Sequence, residues 1–179
     1  MKLQGKILTI SNFFSFSRIL LLWPVLHFLK KQTVEANWTA FAFMVLAALT
    51  DFFDGYLARK LDQRSDLGRI IDPIADKIAL AGVGLILVYT HGLPMWFLGL
   101  IIGRDLAILS LGLTIVRKEE RIPESNWFGK FAVGACAVTV ILYAVDIQPY
   151  GMIFLYISTA LLIISTISYG KRYLDFVRA

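Results

Sequence analysis

The chain has 179 residues, of which 58% are hydrophobic and 17% are charged, and its mean hydropathy is +0.69. This composition excludes an ordinary soluble domain and predicts an integral membrane protein. The net charge of +5 does not indicate a partner nucleic acid, because the basic residues lie in short polar segments between apolar runs, without a basic cluster interleaved with aromatics.

The apolar runs predict an all-α protein with six transmembrane helices and no room for a soluble domain. Residues 1–9 carry Lys2 and Lys6 among apolar side chains, a pattern typical of a short amphipathic segment on a membrane surface. The predicted helices cover residues 10–29, 38–60, 68–89, 95–116 and 127–145, and a sixth runs from the turn at 146–150 to about residue 170. We therefore expect residues 1–179 to form one transmembrane domain.

The distribution of Lys and Arg predicts the orientation in the membrane. Only Lys30 and Lys31 lie on one side, whereas thirteen basic residues lie in loops or near helix ends on the other. The thirteen are Lys2, Lys6, Arg59, Lys60, Arg64, Arg69, Arg117, Lys118, Arg121, Lys130, Lys171, Arg172 and Arg178. The positive-inside rule then predicts a multi-pass protein of the cell inner membrane, with both termini and the loops at 60–67 and 117–125 in the cytoplasm.

Four aspartates border strongly apolar segments between Asp51 and Asp76. Asp51 follows ten uncharged residues, which disfavours a helix cap or a surface carboxylate, and a lone Asp in the centre of a membrane helix costs roughly 2.5–3.5 kcal/mol. If the segments are helical, Asp51 and Asp54 share one helix face, and Asp72 and Asp76 share another. Two such helices facing each other would need cations between the four charges, and oxygen ligands alone suit Mg²⁺ or Mn²⁺.

The spacing of these residues resembles the signature of the CDP-alcohol phosphatidyltransferases. Eight residues match it: Asp51, Asp54, Gly55, Ala58, Arg59, Gly68, Asp72 and Asp76. The resemblance also extends to most of the chain in length and hydropathy. It implies a membrane enzyme that transfers a phosphatidyl group from CDP-diacylglycerol to an alcohol and releases CMP.

The resemblance implies a two-metal site. Asp51, Asp54, Asp72 and Asp76 would hold two Mg²⁺ or Mn²⁺ ions that bind the diphosphate of the CDP-lipid. Asp76 would also be the general base that takes the proton of the acceptor hydroxyl. The active site would then open to the cytoplasm, where soluble phosphorylated alcohols are met.

Other matching positions would bind the CDP-lipid. The glycine at Gly55 would allow substrate to approach the backbone, Arg59 would pair with phosphate, and Ser65 would contact the nucleotide. The opening Asn12-x2-Ser15-x2-Arg18 resembles the Asn-x2-Thr-x2-Arg run of many members and would help to receive the cytidine half. Arg59 could alternatively be an ordinary arginine at the cytoplasmic end of a helix. The Asn12 to Arg18 opening could alternatively be a polar helix start at the membrane interface.

Arg104 and Lys130 lie where the family carries basic residues for the phosphate of the acceptor. A phosphorylated acceptor brings about two negative charges into an acidic site, so nearby cations are expected. Arg104 and its neighbour Asp105 could alternatively form a buried structural ion pair. Because the opening at Asn12 most resembles that of members using sn-glycerol 3-phosphate, this acceptor is the first choice and inositol phosphate the second.

The sequence leaves two questions open, the oligomeric state and the functional class of the protein. The family commonly forms homodimers, and Gly99-x3-Gly103 is either a dimer face or a site of helix packing within one chain. Intramembrane carboxylates also occur in cation or proton transporters, and aspartates bind diphosphate in intramembrane prenyltransferases. An assay for transfer to an alcohol with release of CMP would distinguish a phosphatidyltransferase from both a transporter and a prenyltransferase.

Overall fold

The computed structural model describes the backbone of residues 10–60, 68–119 and 127–178. Within these ranges it describes the side chains of 20–50, 77–108 and 129–171, together with Ser17 and Trp127. This part of the chain contains six helices and no strand: α1 (Ile10–Leu29), α2 (Val34–Lys60), α3 (Gly68–Thr90), α4 (Met95–Glu119), α5 (Trp127–Ala144) and α6 (Tyr150–Arg178). The all-α prediction is thus confirmed for the described residues, and the predicted amphipathic segment 1–9 lies outside them.

Three of the predicted helix boundaries differ from the structure by three residues or more. Helix α2 begins at Val34 instead of residue 38, because Thr33 caps it: the Ala36 amide donates to Thr33 Oγ1 over 3.3 Å. Helices α4 and α6 continue to Glu119 and Arg178, beyond the predicted ends at 116 and 170. Charged residues such as Lys, Arg and Glu favour helix, so a helix continues past the point where its sequence stops being apolar.

One helix in the described residues is long and apolar enough to cross a membrane. It is the part of α6 from Tyr150 to Lys171, of which only 28% is buried, unlike the core helix of a soluble protein. Shorter apolar segments of 10–17 residues lie in α1, α2, α3 and α5. The helices are therefore confirmed, whereas six membrane crossings with cytoplasmic termini stay a prediction.

The chain divides into two compact units, Met1–Gly92 and Leu93–Ala179. In the first unit, α1 packs against both α2 and α3. A Cβ atom at Gly82 of α3 would lie 3.5 Å from Leu22 of α1, and the rings of Phe28 in α1 and Phe43 in α2 stack at 5.9 Å. Helix α1 therefore holds the two helices that carry the aspartate signature.

Hydrogen bonds join the beginning of α2 to the end of α3. Gln32 Nε2 donates to the Thr90 carbonyl over 3.0 Å, and His91 Nε2 lies 3.1 Å from Asn37 Oδ1. Asn37 is buried, with 4% of its surface exposed. The first turn of α2 and the end of α3 are therefore held together at this point.

Replacing Asn37 with alanine tests this connection. We expect the loss of the hydrogen bond to His91 in a buried position to lower the free energy of unfolding by about 1–2 kcal/mol. The measurement is denaturant unfolding in detergent micelles. Thr39→Ala is the control, because Thr39 Oγ1 donates only to the Glu35 carbonyl within the same helix. Equal stabilities of the two variants would contradict the prediction.

In the second unit, α6 packs against both α4 and α5. Thr139 Oγ1 of α5 and Ser158 Oγ of α6 lie 3.1 Å apart, and both side chains are fully buried. A second contact joins Gly129, ten residues before Thr139 in α5, to Tyr169, eleven residues after Ser158 in α6. A Cβ atom at Gly129 would lie 3.4 Å from the Tyr169 side chain. Helices α5 and α6 therefore form an antiparallel pair with polar contacts along its interior.

Candidate active site

The four signature aspartates lie on the two helices for which they were predicted. Asp51 and Asp54 belong to α2, and Asp72 and Asp76 belong to α3. Because both segments are helical, spacings of three and four residues place each pair on one face of its helix. The side chains of residues 51–76 lie outside the description, so the predicted ligation is not tested by a contact.

The two pairs lie at similar distances along α2 and α3 from the contact between Asn37 and His91. Asp51 lies 14 residues after Asn37, and Asp76 lies 15 residues before His91, the two residues that are hydrogen-bonded at the other end. At ~1.5 Å per residue, both aspartates are ~21–23 Å from that contact. Asp54 and Asp72, at 17 and 19 residues, are ~26–29 Å from it. These positions along the two helices agree with the prediction that both pairs belong to one site.

The donor set suits hard divalent cations. All four candidate ligands are carboxylates, which Mg²⁺ and Mn²⁺ accept, and neither Cys nor His belongs to the set. Among the described side chains, no group of three or more His, Cys, Asp and Glu residues comes together, so that part of the chain offers no competing metal centre. The residue types present fit ions of this kind.

The predicted CDP-lipid residues lie on the helices that flank this position. Asn12, Ser15 and Arg18 belong to α1, and Gly55 and Arg59 belong to α2. Asn12 lies 17 residues before the last residue of α1, and Asp51 lies 17 residues after the first residue of α2, so each is ~25 Å along its helix from the short α1–α2 connection. The side chains of these five residues are not described, and Ser65 lies outside the described backbone.

Arg104 is held by three neighbours within the second unit. Its Nη1 donates to Asp105 Oδ1 over 2.8 Å, its Nη2 donates to Ser165 Oγ over 3.0 Å, and its guanidinium carbon lies 5.9 Å from the centre of the Tyr169 ring. Only 10% of the Arg104 side chain is exposed. The ion pair that the sequence suggested as an alternative is present, and a buried arginine of this kind marks a functional site as readily as a structural one.

Lys130 has a different setting near the beginning of α5. Its side chain is exposed, and its ammonium lies 5.0 Å from the centre of the Trp127 ring, which is itself 70% exposed. A cation over an exposed ring gains about 0.5–1 kcal/mol, so the lysine is only weakly held. Its predicted contact with the acceptor phosphate is not tested by these contacts.

Sequence reasoning missed the residues of α5 and α6 that surround Arg104. These are Gly129, Ser165 and Tyr169. The available signal was the spacing of Ser158 and Ser165, two polar residues seven positions apart in an apolar helix, which places both on one buried face. Their partners, Thr139 and Arg104, follow only from the packing of three helices.

A family model described as CDP-alcohol phosphatidyltransferase matches residues 8–164. The chain is 31% identical over 176 residues to a CDP-diacylglycerol–glycerol-3-phosphate 3-phosphatidyltransferase of Aquifex aeolicus, and the match covers 94% of both chains. It is 31% identical to the Bacillus subtilis protein of the same name, over 61% of this chain and 56% of that protein.

A third relative is named for a different activity, cardiolipin synthesis. A probable cardiolipin synthase (CMP-forming) of Drosophila melanogaster is 34% identical over 63% of this chain and 34% of its own length. None of these matches supports the transporter or prenyltransferase alternatives, and the family predicted from the aspartate spacing is confirmed. The chain belongs to the CDP-alcohol phosphatidyltransferases and is an enzyme of that type.

Proposed function

We propose that this enzyme transfers a phosphatidyl group from CDP-diacylglycerol to sn-glycerol 3-phosphate and releases CMP. The observation that carries the choice of acceptor is the match over 94% of both chains with the Aquifex protein of that name. Arg104 supports it, because a buried guanidinium suits an acceptor that carries its own phosphate.

The aspartates of α2 and α3 would hold two Mg²⁺ or Mn²⁺ ions. Bound there, the ions supply positive charge against the diphosphate of the CDP-lipid. Asp51, Asp54 and Asp72 act as ligands, and Asp76 acts as ligand and general base. The Asp76 carboxylate accepts the proton of the acceptor hydroxyl while that oxygen forms a bond to the phosphorus that carries diacylglycerol. The bond from this phosphorus to the oxygen of CMP breaks, and CMP leaves with the electron pair.

The residues around the aspartates would bind the CDP-lipid. Arg59, two turns after Asp51, pairs with phosphate, and Gly55 leaves space for substrate beside the backbone of α2. Asn12 and Ser15, at the beginning of α1, receive the cytidine half, and Ser65 contacts the nucleotide. Helix α1 suits this role because it packs against both α2 and α3.

Arg104 and Lys130 would bind the phosphate of the acceptor. Arg104 is pre-oriented by Ser165 and Asp105, whereas Lys130 is exposed and free to move with the substrate. We place the active site at the cytoplasmic face of the cell inner membrane, in agreement with the bias of Lys and Arg toward that side.

We also propose a homodimer as the functional unit. A Cβ atom at Gly99 or Gly103 would have no described atom within 4 Å. Within the described part of the second unit, these glycines therefore do not serve close packing. A second copy of α4 is a partner that such small residues favour.

The names of other relatives favour one further candidate, cardiolipin synthesis. Cardiolipin carries two phosphatidyl groups on one glycerol, so its acceptor is a lipid alcohol that already carries one. Inositol phosphate is the other alternative, because the same basic residues would bind its phosphate. The chemistry at the aspartates would be the same in all three cases.

An acceptor panel tests the assignment. Purified protein is given labelled CDP-diacylglycerol with glycerol 3-phosphate, inositol 1-phosphate, phosphatidylglycerol, free inositol or serine, and kcat/KM is measured for each. We expect glycerol 3-phosphate to exceed free inositol and serine by about 10³-fold or more, because an unphosphorylated acceptor offers no phosphate oxygens to the Arg104 guanidinium. A higher kcat/KM for phosphatidylglycerol, inositol 1-phosphate, inositol or serine would overturn the choice of acceptor while leaving the family unchanged.

A further inference from the structure

The guanidinium of Arg104 is oriented by a helix that the signature does not include. Its Nη2 donates over 3.0 Å to Ser165 Oγ, and Ser165 has no exposed surface. The Tyr169 ring, one turn later in α6, lies 5.9 Å from the guanidinium carbon. The rotamer of a long arginine side chain in the middle of α4 is thus determined from α6.

This arrangement leaves one donor of Arg104 unused. The Nε atom is buried and has no hydrogen-bond partner among the described residues. A buried donor without a partner costs free energy, which a ligand with oxygen acceptors would recover. Because Nη1 and Nη2 already donate to Asp105 and Ser165, the Nε–H is the donor that remains for an acceptor oxygen of a bound anion.

A missing side chain in α5 makes room for this orientation. A Cβ atom at Gly129 would lie 3.2 Å from Arg104 Nη2 and 3.4 Å from Tyr169 Oη. Alanine at this position would therefore press on the guanidinium itself. The contact is tighter than an ordinary van der Waals contact, and Arg104 is the flexible partner that would move.

We propose that Ser165 is a positioning residue for the acceptor phosphate, acting through Arg104, and that Gly129 provides the space in which Arg104 is held. The proposal deepens the proposed function, because it requires that Arg104 binds the phosphate of the acceptor. Ser165 itself contacts the arginine and not the substrate. Its hydroxyl lowers the entropic cost of binding by fixing the guanidinium before the phosphate arrives.

The first test compares Ser165→Ala with the unchanged enzyme. We expect KM for glycerol 3-phosphate to rise about tenfold, as for the loss of one hydrogen bond to a charged group, while KM for CDP-diacylglycerol changes by less than about twofold. Ser158→Ala is the matched control, because Ser158 is equally buried in α6 but pairs with Thr139. A purely structural role would change both variants alike, and equal KM values for the acceptor in them would overturn the proposal.

A double-mutant cycle separates this proposal from the function on which it rests. In an Arg104→Gln background, Ser165→Ala should have no further effect on KM for glycerol 3-phosphate, because the residue through which it acts is gone. Additive effects would overturn the positioning role. If Arg104→Gln alone leaves this KM unchanged, the proposed acceptor site is wrong, and the positioning role of Ser165 falls with it.

Gly129→Ala provides a second test, which remains informative even if the Ser165→Ala variant does not fold. Alanine favours a helix over glycine, so the variant should be at least as stable, yet KM for glycerol 3-phosphate should rise about fivefold or more because the guanidinium is displaced. Gly134→Ala in the same helix is the control, since a Cβ atom there meets nothing within 4 Å. An unchanged acceptor KM in Gly129→Ala would contradict the proposal.

Discussion

Replacing Asp76 with asparagine is expected to reduce CMP release by about 10³-fold, while measurable binding of CDP-diacylglycerol remains. Asparagine keeps the volume and one oxygen of the side chain, but its amide cannot accept the proton of the acceptor hydroxyl. General base catalysis typically contributes 10²–10⁴-fold, and the effect should lie within that range. The expected loss is in kcat, because the variant still holds both substrates.

The measurement is single-turnover release of CMP from labelled CDP-diacylglycerol at saturating acceptor. Asp146→Asn is the matched control: Asp146 is exposed between α5 and α6, and its positive φ of 58° is one that asparagine also adopts readily. The control should retain full activity. If Asp76→Asn retains activity within about tenfold of the unchanged enzyme, Asp76 is not the base.

Replacing Asp51 with alanine is expected to remove both a metal ligand and the activity. The loss of one carboxylate from a shared site should lower the number of bound Mn²⁺ ions and reduce CMP release by about 10³-fold, which corresponds to several kcal/mol of transition-state stabilisation. Isothermal titration with Mn²⁺ in detergent reports the metal directly and does not depend on turnover.

The control for Asp51→Ala is Glu35→Ala, another carboxylate removed from the same helix. Glu35 is exposed in the first turn of α2, far from Asp51 along the helix. Its removal should leave the metal stoichiometry and the activity unchanged. An unaltered number of Mn²⁺ ions in Asp51→Ala would contradict a site that is shared by the four aspartates.

The location of the four aspartates on two helices was predictable because its signals are local. Spacings of three and four residues, hard oxygen ligands and an apolar surrounding follow from the order of residues alone, and the structure adds the contact between Asn37 and His91 that joins the far ends of α2 and α3. The starts of α4 and α5 and the whole of α1 were also predicted correctly, because apolar runs there are bounded by turn or polar residues.

What the sequence did not predict depends on contacts between distant residues or on local capping. The early start of α2 results from the Thr33 cap, which a hydropathy pattern does not reveal. The extension of α6 to Arg178 shows that the end of an apolar run is not the end of a helix. The pairing of Arg104 with Ser165, 61 residues later in the chain, requires the packing of α4 on α6.

Counting CMP and the lipid product in one sample tests the proposed transfer most directly. Purified enzyme is incubated with CDP-diacylglycerol and glycerol 3-phosphate, with Mg²⁺ or Mn²⁺ and then with excess chelator. We predict one phosphatidylglycerophosphate for each CMP released, and loss of both products when the chelator is added. CMP without the phosphorylated lipid product, or equal turnover in chelator, would contradict the proposed transfer at a metal site built from the aspartates of α2 and α3.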